Sequence, residues 1–278
     1  MSKKIMNTFL KKGTLEEVRA SARILLQCGG LTDNDSLQIF TNTFMRSIDF
    51  VKGAVSIDTL PVDTVDSKGK EIPEVAFIGR SNVGKSSLVN MITNRKKLAF
   101  VSNTPGKTSE YNYFVAKGEI GIQKEPHTFY LVDLPGVGYA EVLKTKKDDW
   151  IELLKSYSME RHTLRGIFHL VDSRHGLLDA DEECLSLLTN LPPYVKYIIV
   201  LTKFDKLALE DKKRTTGMVN SIRREVKNFN SNADVPILFT SSESRGGGSS
   251  VWSAMLDVMH QEDAFDFSTM WVPKEGDN

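Results

Sequence analysis

The stretch "GRSNVGKSS", Gly79–Ser87, decides how this chain of 278 residues is read. It follows the apolar run "VAFIG" and opens an apolar-periodic stretch, so G-x-x-x-x-G-K-S stands between a strand and a helix, as a phosphate-binding loop requires. Backbone N–H groups from Gly79, Arg80, Ser81, Asn82, Val83 and Gly84 can curl around phosphate oxygens, and the N-terminus of the following helix adds partial positive charge. Lys85 reaches the β- and γ-phosphates, the Ser86 hydroxyl is a ligand for Mg²⁺, and Ser87 completes the first helical turn.

Outward from this loop the chain alternates strand and helix patterns. "YNYFV" is a strand pattern, and "FYLVD", "GIFHLVD", "YIIVLT" and "PILFT" are short β-branched or aromatic runs, typical of strands buried on both faces. Helix patterns lie at about 85–95, 147–161, 179–190, 211–228 and 249–260. Such alternation predicts an α/β fold of three layers around a mostly parallel sheet, with ligands at the C-terminal ends of the strands. Ahead of it, "TLEEVRASARILLQCGG" reads as a helix capped by Thr14 and Glu17 and stopped at Gly29-Gly30, and a second helix is expected at about 33–47. The expected division is an N-terminal extension at 1–45, a nucleotide-binding domain at 46–262 and a tail at 263–278.

Three further strand ends carry chemistry. In "LVDLPG", Asp133 can hold Mg²⁺ through water, Leu134 and Pro135 shape the turn, and Gly136 offers its N–H to the γ-phosphate. In "VLTKFD", Asp205 can accept two hydrogen bonds from guanine that adenine does not offer, and Lys203 can lay its stem over the base. Thr202 stands where asparagine is common, and Phe204 completes the motif. In "FTSSES", N–H groups around Thr240, Ser241 and Ser242 are placed to meet the guanine oxygen. Four such loops in this order identify the ligand as GTP or GDP. Between the first two, "SNTPGKTSEYNYF" offers Thr104 and Thr108 to complete the Mg²⁺ shell. Thr108 is favoured because it leads into a strand, and Gly106, Lys107, Thr108, Ser109 and Glu110 form the closing segment.

Composition bounds the remaining possibilities. Lys plus Arg (36) balances Asp plus Glu (36), so RNA contact would need local basic patches, for which "KTKKDDW" and "DKKRTTGMVNSIRREVK" are the candidates. Cys28 and Cys184 have no metal-ligand spacing and form no disulfide framework. No apolar run reaches the length of a membrane span. Lys3, Lys4, Lys11 and Lys12 in an acid-poor start read either as a solvated terminus or as the remnant of a targeting leader.

With "PEVAFIGRSNVGKSSLVN", "NTPGKTSEYNYF", "FYLVDLPGVGYA", "RGIFHLVDSRHGLLDADEE" and "VLTKFDKL" in view, the chain resembles the EngB GTPases, a branch of the translation-factor-related P-loop GTPases, over roughly residues 45–260. The resemblance implies GTP hydrolysis, a switch role in assembly of the large ribosomal subunit, and contact with a subunit precursor and its RNA. It also supports Thr108, and Thr202 matches the family's own pattern. Val137 stands where many GTPases orient water with glutamine, so slow turnover and stimulation by a partner or a cation are expected. Potassium-dependent relatives suggest that Asn82 helps hold K⁺; local stabilisation of the loop by Asn82 and an arginine from a partner stay open beside it. The catalytic set is therefore Lys85, Thr108, Gly136 and Asn82, and the Mg²⁺ ligands are Ser86, Thr108 and Asp133. A nucleotide-gated module with negligible turnover is the alternative. A monomer is expected. The N-terminal extension and the longer "AKGEIGIQKEPH" favour a mitochondrial or plastid matrix, with the cytoplasm expected of a bacterial source.

Overall fold

A computed structural model describes residues 33–96, 98, 110–120, 125–136, 144–188, 190–207, 212–229 and 235–259. The elements in chain order are α1 (Asp33–Phe44), β1 (Ser47–Ala54), β2 (Glu74–Gly79), α2 (Lys85–Ile92), β3 (Tyr111–Ile120), β4 (Glu125–Asp133), α3 (Lys144–Glu160), β5 (Leu164–Asp172), α4 (Asp179–Leu187), β6 (Lys196–Thr202), α5 (Lys212–Phe229), β7 (Ile237–Phe239) and α6 (Gly248–Met259). The expected helix at residues 14–30 and the tail lie outside the described residues.

The seven strands form one sheet in the order β1-β3-β4-β2-β5-β6-β7. Pairings from β4 through β2, β5 and β6 to β7 are parallel, whereas β3 runs antiparallel to both β1 and β4. All six residues of β2 are buried, which explains why "VAFIG" reads as an unbroken apolar run. On one face Val75, Phe77, Phe129, Phe168 and Val200 pack under Leu37 of α1, Leu88 of α2 and Trp252 of α6. On the other, Ala76, Ile78, Tyr113 and Ile167 meet Leu154 and Tyr157 of α3 and Cys184 of α4, while Ile222 and Val226 of α5 cover Ile199 and Leu201. This is the three-layer arrangement expected. Burial pushes the Cys184 thiol up, out of the range in which it would form a thiolate.

Three features depart from the sequence reading. Strand β1 was not anticipated, because only Ile48 and Ala54 along it are buried and no alternation marks it. The segment "AKGEIGIQKEPH", expected as an insertion between strands, instead prolongs the β3–β4 ladder as far as the pair Ile120↔Glu125. The boundary expected at residue 46 cuts through packed structure. Leu37 of α1 is fully buried, a carbon added to Gly248 of α6 would meet its side chain at 2.8 Å, and Thr41 Oγ1 donates to the Ile92 carbonyl at 3.1 Å. That carbonyl, at the open end of α2, also accepts Trp252 Nε1 at 2.8 Å, so α1 and α6 jointly cap α2.

At the far end of the sheet from the loops, the carboxylate of Glu74 is fully buried and fully engaged. It accepts Tyr113 Oη at 3.0 Å, Tyr157 Oη at 3.1 Å, Thr163 Oγ1 at 2.7 Å and Arg161 Nε at 2.7 Å. The bonds fasten the C-terminus of α3 to the first residue of β2.

If α1 belongs to the folding unit, Leu37→Ala will cost about 2–5 kcal/mol, the range for a buried leucine that leaves a cavity. The shift of the urea midpoint measures this; an unmoved midpoint would mean that α1 is an appendage.

Candidate functional site

The four sequence-predicted loops converge at the C-terminal edge of the parallel strands. The phosphate loop leaves β2 at the sheet's centre, between β4, which ends in Asp133, and β5, which ends in Asp172. Gly79 is required at the exit of β2 because an added carbon would lie 2.7 Å from the Leu170 carbonyl oxygen of β5. Gly84, with φ of 108°, caps α2 in the left-handed region that disfavours side chains. Asn82, exposed and also left-handed at φ 60°, occupies the tip. Ser81 is exposed, Val83 is buried beneath the loop, and Ser86 and Ser87 are half-buried in the first turn of α2.

Lys85 and Asp133 meet directly: the ammonium donates to Oδ1 of the carboxylate, and both side chains are buried. A buried charge pair of this kind is stable only when each group keeps a partner. Incoming phosphate would therefore take the Lys85 ammonium while a cation took up Asp133. Ser86 and Asp133 supply the hard oxygen donors that suit Mg²⁺. Leu134 is buried, with its N–H donating to the Phe77 carbonyl at 2.9 Å, Pro135 is buried, and Gly136 follows. Gly136 lies against the phosphate loop, where an added carbon would stand 3.1 Å from Ser81 N. Gly106, Lys107, Thr108 and Ser109 lie outside the described residues, as do Thr104, Val137 and Tyr139. Glu110 is described, exposed at the start of β3, with its carboxylate over Gly53 of β1.

The base-reading loop is tied to the phosphate loop by two hydrogen bonds. Thr202 Oγ1 donates to the Val83 carbonyl at 2.6 Å, and Lys203 Nζ donates to the Asn82 carbonyl at 2.6 Å. Thr202 thus fills its place with a hydroxyl that reaches the loop backbone. Phe204 is buried edge-on against Phe239 of β7, with ring centroids 4.8 Å apart, and leaves its neighbour Asp205 exposed at the mouth of the site. Phe204 N–H donates to the Thr240 carbonyl at 3.1 Å, and Thr240 N–H donates to Leu201 at 2.7 Å, which ties the two outer loops together. The expectation is corrected for Thr240, whose N–H is thereby taken, and for Ser241. Its N–H is committed to the Gly246 carbonyl at 3.0 Å in a local turn, so the reading rests on the exposed Ser242.

The Arg80 side chain, unlike the backbone N–H assigned to the loop, is engaged elsewhere. Its guanidinium turns behind the loop, where Nε donates to Asp181 Oδ2 at 2.7 Å at the start of α4. Asp181 Oδ1 meets His169 Nε2 at 3.2 Å, and His169 Nδ1 meets the Tyr197 hydroxyl. His169 is accordingly a hydrogen-bonded core residue. Asp181 fixes α4 as well, by accepting the Leu178 N–H at 3.0 Å.

Sequence reasoning missed Asp172. Oδ2 accepts Lys203 Nζ at 3.0 Å and an Arg174 guanidinium nitrogen at 2.7 Å, while Oδ1 accepts Arg174 Nε at 2.9 Å and Arg174 N–H at 3.0 Å. Burial by itself would push this carboxyl up, yet the bonds from Arg174 and Lys203 hold it well below the usual carboxylate range. The Arg174 guanidinium is held protonated first by its hydrogen bonds to Asp172 and further by the charges of Asp172 and Asp205. The available signal was an aspartate ending a buried strand in "HLVDSRHG", beside two other strand ends already assigned to the site.

Comparison with known proteins places these loops among relatives. The model of a family described as "50S ribosome-binding GTPase" matches residues 74–203. The chain is 40% identical over 211 residues to a probable GTP-binding protein EngB of Mesorhizobium japonicum, covering 76% of this chain and 92% of that protein. It is 38% identical over 224 residues to one of Bartonella bacilliformis, covering 80% and 97%. Among solved structures, Era in complex with MgGDPNP and nucleotides 1506-1542 of 16S ribosomal RNA aligns with a TM-score of 0.51 at 21% identity, over 70% of this chain and 59% of that one. That likeness bears on the fold. The two relatives are bacterial and lend no support to an organellar compartment.

Thr202→Val removes one hydroxyl at nearly constant volume and leaves the Val83 carbonyl without its partner. The cost of such a loss, about 1–3 kcal/mol, corresponds to a weakening of roughly 5- to 150-fold for GTP and GDP alike. Titration with a fluorescent guanine nucleotide checks it.

Proposed function

Since the chain belongs to the EngB family of GTP-binding proteins, we propose that it works as a slow GTP-hydrolysing switch on a precursor of the large ribosomal subunit, gated by the loops around Gly79–Ser87 and Asp133–Gly136. The observation that carries this reading is the pair of hydrogen bonds from Thr202 and Lys203 to the phosphate-loop carbonyls, which make base recognition and phosphate binding one site. Asp205 reads the two guanine donors, and the Lys203 stem covers the base. Loop N–H groups and Lys85 hold the phosphates, and Gly136 N–H reports the γ-phosphate. Ser86 and Asp133, joined by Thr108, would hold Mg²⁺, which supplies charge neutralisation on the β- and γ-phosphates.

Val137 cannot orient water through a hydrogen bond, so intrinsic turnover is slow, and the chain relies on a partner or on K⁺ held with the help of Asn82. The partner surface best suited to RNA is α5. It bears Lys212, Lys213, Arg214, Arg223, Arg224 and Lys227 against the single acid Glu225, with Arg223, Arg224 and Lys227 exposed while Ile222 and Val226 face the sheet. The chain acts as a monomer, and its bacterial relatives favour the cytoplasm over an organellar matrix.

Phosphate release in potassium and in sodium, with and without large subunits, tests the switch. Stimulation by potassium or by particles is expected. Tight GTP binding without release under any condition would replace the enzyme with a nucleotide-gated binding module. Asp205→Asn is expected to exchange guanine for xanthine preference, and unchanged GTP affinity would remove Asp205 from its role. Replacing Arg223, Arg224 and Lys227 by glutamate should weaken particle binding and flatten its salt dependence by about one unit of log-log slope per lost phosphate contact; an unaltered slope would place the RNA contact elsewhere.

A further inference from the structure

The position of the Lys203 ammonium depends on a residue outside the four nucleotide loops. The Lys203 backbone is left-handed, with φ of 54° and ψ of 35°, which turns the side chain back across the site. Two acceptors then fix it: the Asn82 carbonyl at 2.6 Å and Asp172 Oδ2 at 3.0 Å. Asp172 is paired with Thr202 in the β5–β6 register, so the sheet itself sets it beside Lys203. Only 5% of its side chain is exposed, and it is held in turn by three donors from Arg174, two from the guanidinium and one from the backbone. A carboxylate so constrained has little freedom to follow the lysine. The lysine must come to it.

We propose that Asp172, oriented by Arg174, is a positioning residue for guanine binding, fixing the Lys203 ammonium so that the methylene stem lies flat where the purine stacks. The proposal rests on the guanine-nucleotide reading above. In Asp172→Asn the two Arg174 donors on Oδ1 hold the amide oxygen there and turn the NH₂ group toward Lys203, so the ammonium is left on one acceptor and free to swing. The base then loses its stacking surface, whereas the phosphate loop keeps its glycines, its N–H groups and Lys85. A long flexible side chain forgoes most of its contribution to binding when it must be ordered by the ligand. The effect belongs to ground-state binding and leaves the chemical step alone.

The test compares GDP with inorganic tripolyphosphate, which carries the phosphates without the base, each measured by displacement of a fluorescent guanine nucleotide from the full chain. Asp172→Asn should weaken GDP by roughly 10- to 150-fold, the span of a hydrogen bond to a charged group, while tripolyphosphate changes less than about twofold. At saturating GTP, kcat should stay at the unmodified value. In a Lys203→Met background, which keeps the stem and removes the ammonium, Asp172→Asn should add little further loss. Equal weakening of GDP and tripolyphosphate would overturn the proposal and make Asp172 a support of the loop at large. Additive losses in the two backgrounds would overturn it as well. Should Asp172→Asn fail to fold, Asp172→Glu keeps the charge and displaces it by one methylene; GDP must again weaken with tripolyphosphate unmoved, and unchanged GDP affinity counts against the idea. Failure of the unmodified chain to prefer GDP over ADP would instead strike the guanine reading itself.

Discussion

Strand β2 carries the constraint on which the other elements depend: it must be covered on both faces, hydrogen-bonded on both edges, and still end in a loop wide enough for phosphate. Its six buried residues leave neither backbone edge open to water, so hydrogen-bonding neighbours have to be supplied from either side. The backbone achieves the exit by passing Gly79 under the Leu170 carbonyl at a separation that no side chain would tolerate. Because β4 and β5 flank β2 in parallel, their last residues, Asp133 and Asp172, arrive beside the same loop from opposite sides. One carboxylate takes Lys85, which follows the loop, and the other takes Lys203.

The two ends of β2 answer opposite demands with the same chemistry. At its start, Glu74 is surrounded by donors from four side chains and has no capacity left for a ligand. Such a group gives the strand a fixed origin at the cost of desolvating a charge. At its end, Asp133 and Lys85 neutralise one another across a single contact that phosphate and a cation can exchange. Behind the loop, Arg80, Asp181, His169 and Tyr197 form a third buried polar chain, directed away from the nucleotide and toward α4. Saturation distinguishes Glu74, and a single exchangeable contact distinguishes the Lys85–Asp133 pair.

Much of this could be read from the residues because the local signals agreed with one another. The buried strands, the glycines of the phosphate loop and the three later motifs follow from apolar runs punctuated by turn residues. What escaped has a common physical cause. Strand β1 lies at the sheet edge with Phe50 and Val51 exposed, so no burial pattern records it. Helix α1 reads as a helix, and the contacts that join it to the core, Leu37 on Gly248 and Thr41 on the Ile92 carbonyl, exist only in three dimensions. The Arg80–Asp181 and Lys203–Asp172 pairs span 101 and 31 positions of sequence, and an isolated aspartate does not announce its partner. For Ser241, the motif placed the residue correctly, while the local turn to Gly246 took the N–H that the reading required.

The union of α1 with α6 has a consequence for the order in which the chain is made. Arg245 reaches back 211 positions to Asn34 at 2.7 Å, and Thr41 and Trp252 share one carbonyl of α2 from opposite ends of the sequence. During synthesis α1 is among the first of these elements to emerge, yet its covering partner is the last. The part of its face that α6 covers must therefore wait until nearly the whole domain has left the exit tunnel, and contacts between such distant positions are the slow ones to form. This corner of the fold thus closes only when translation of the domain is almost complete.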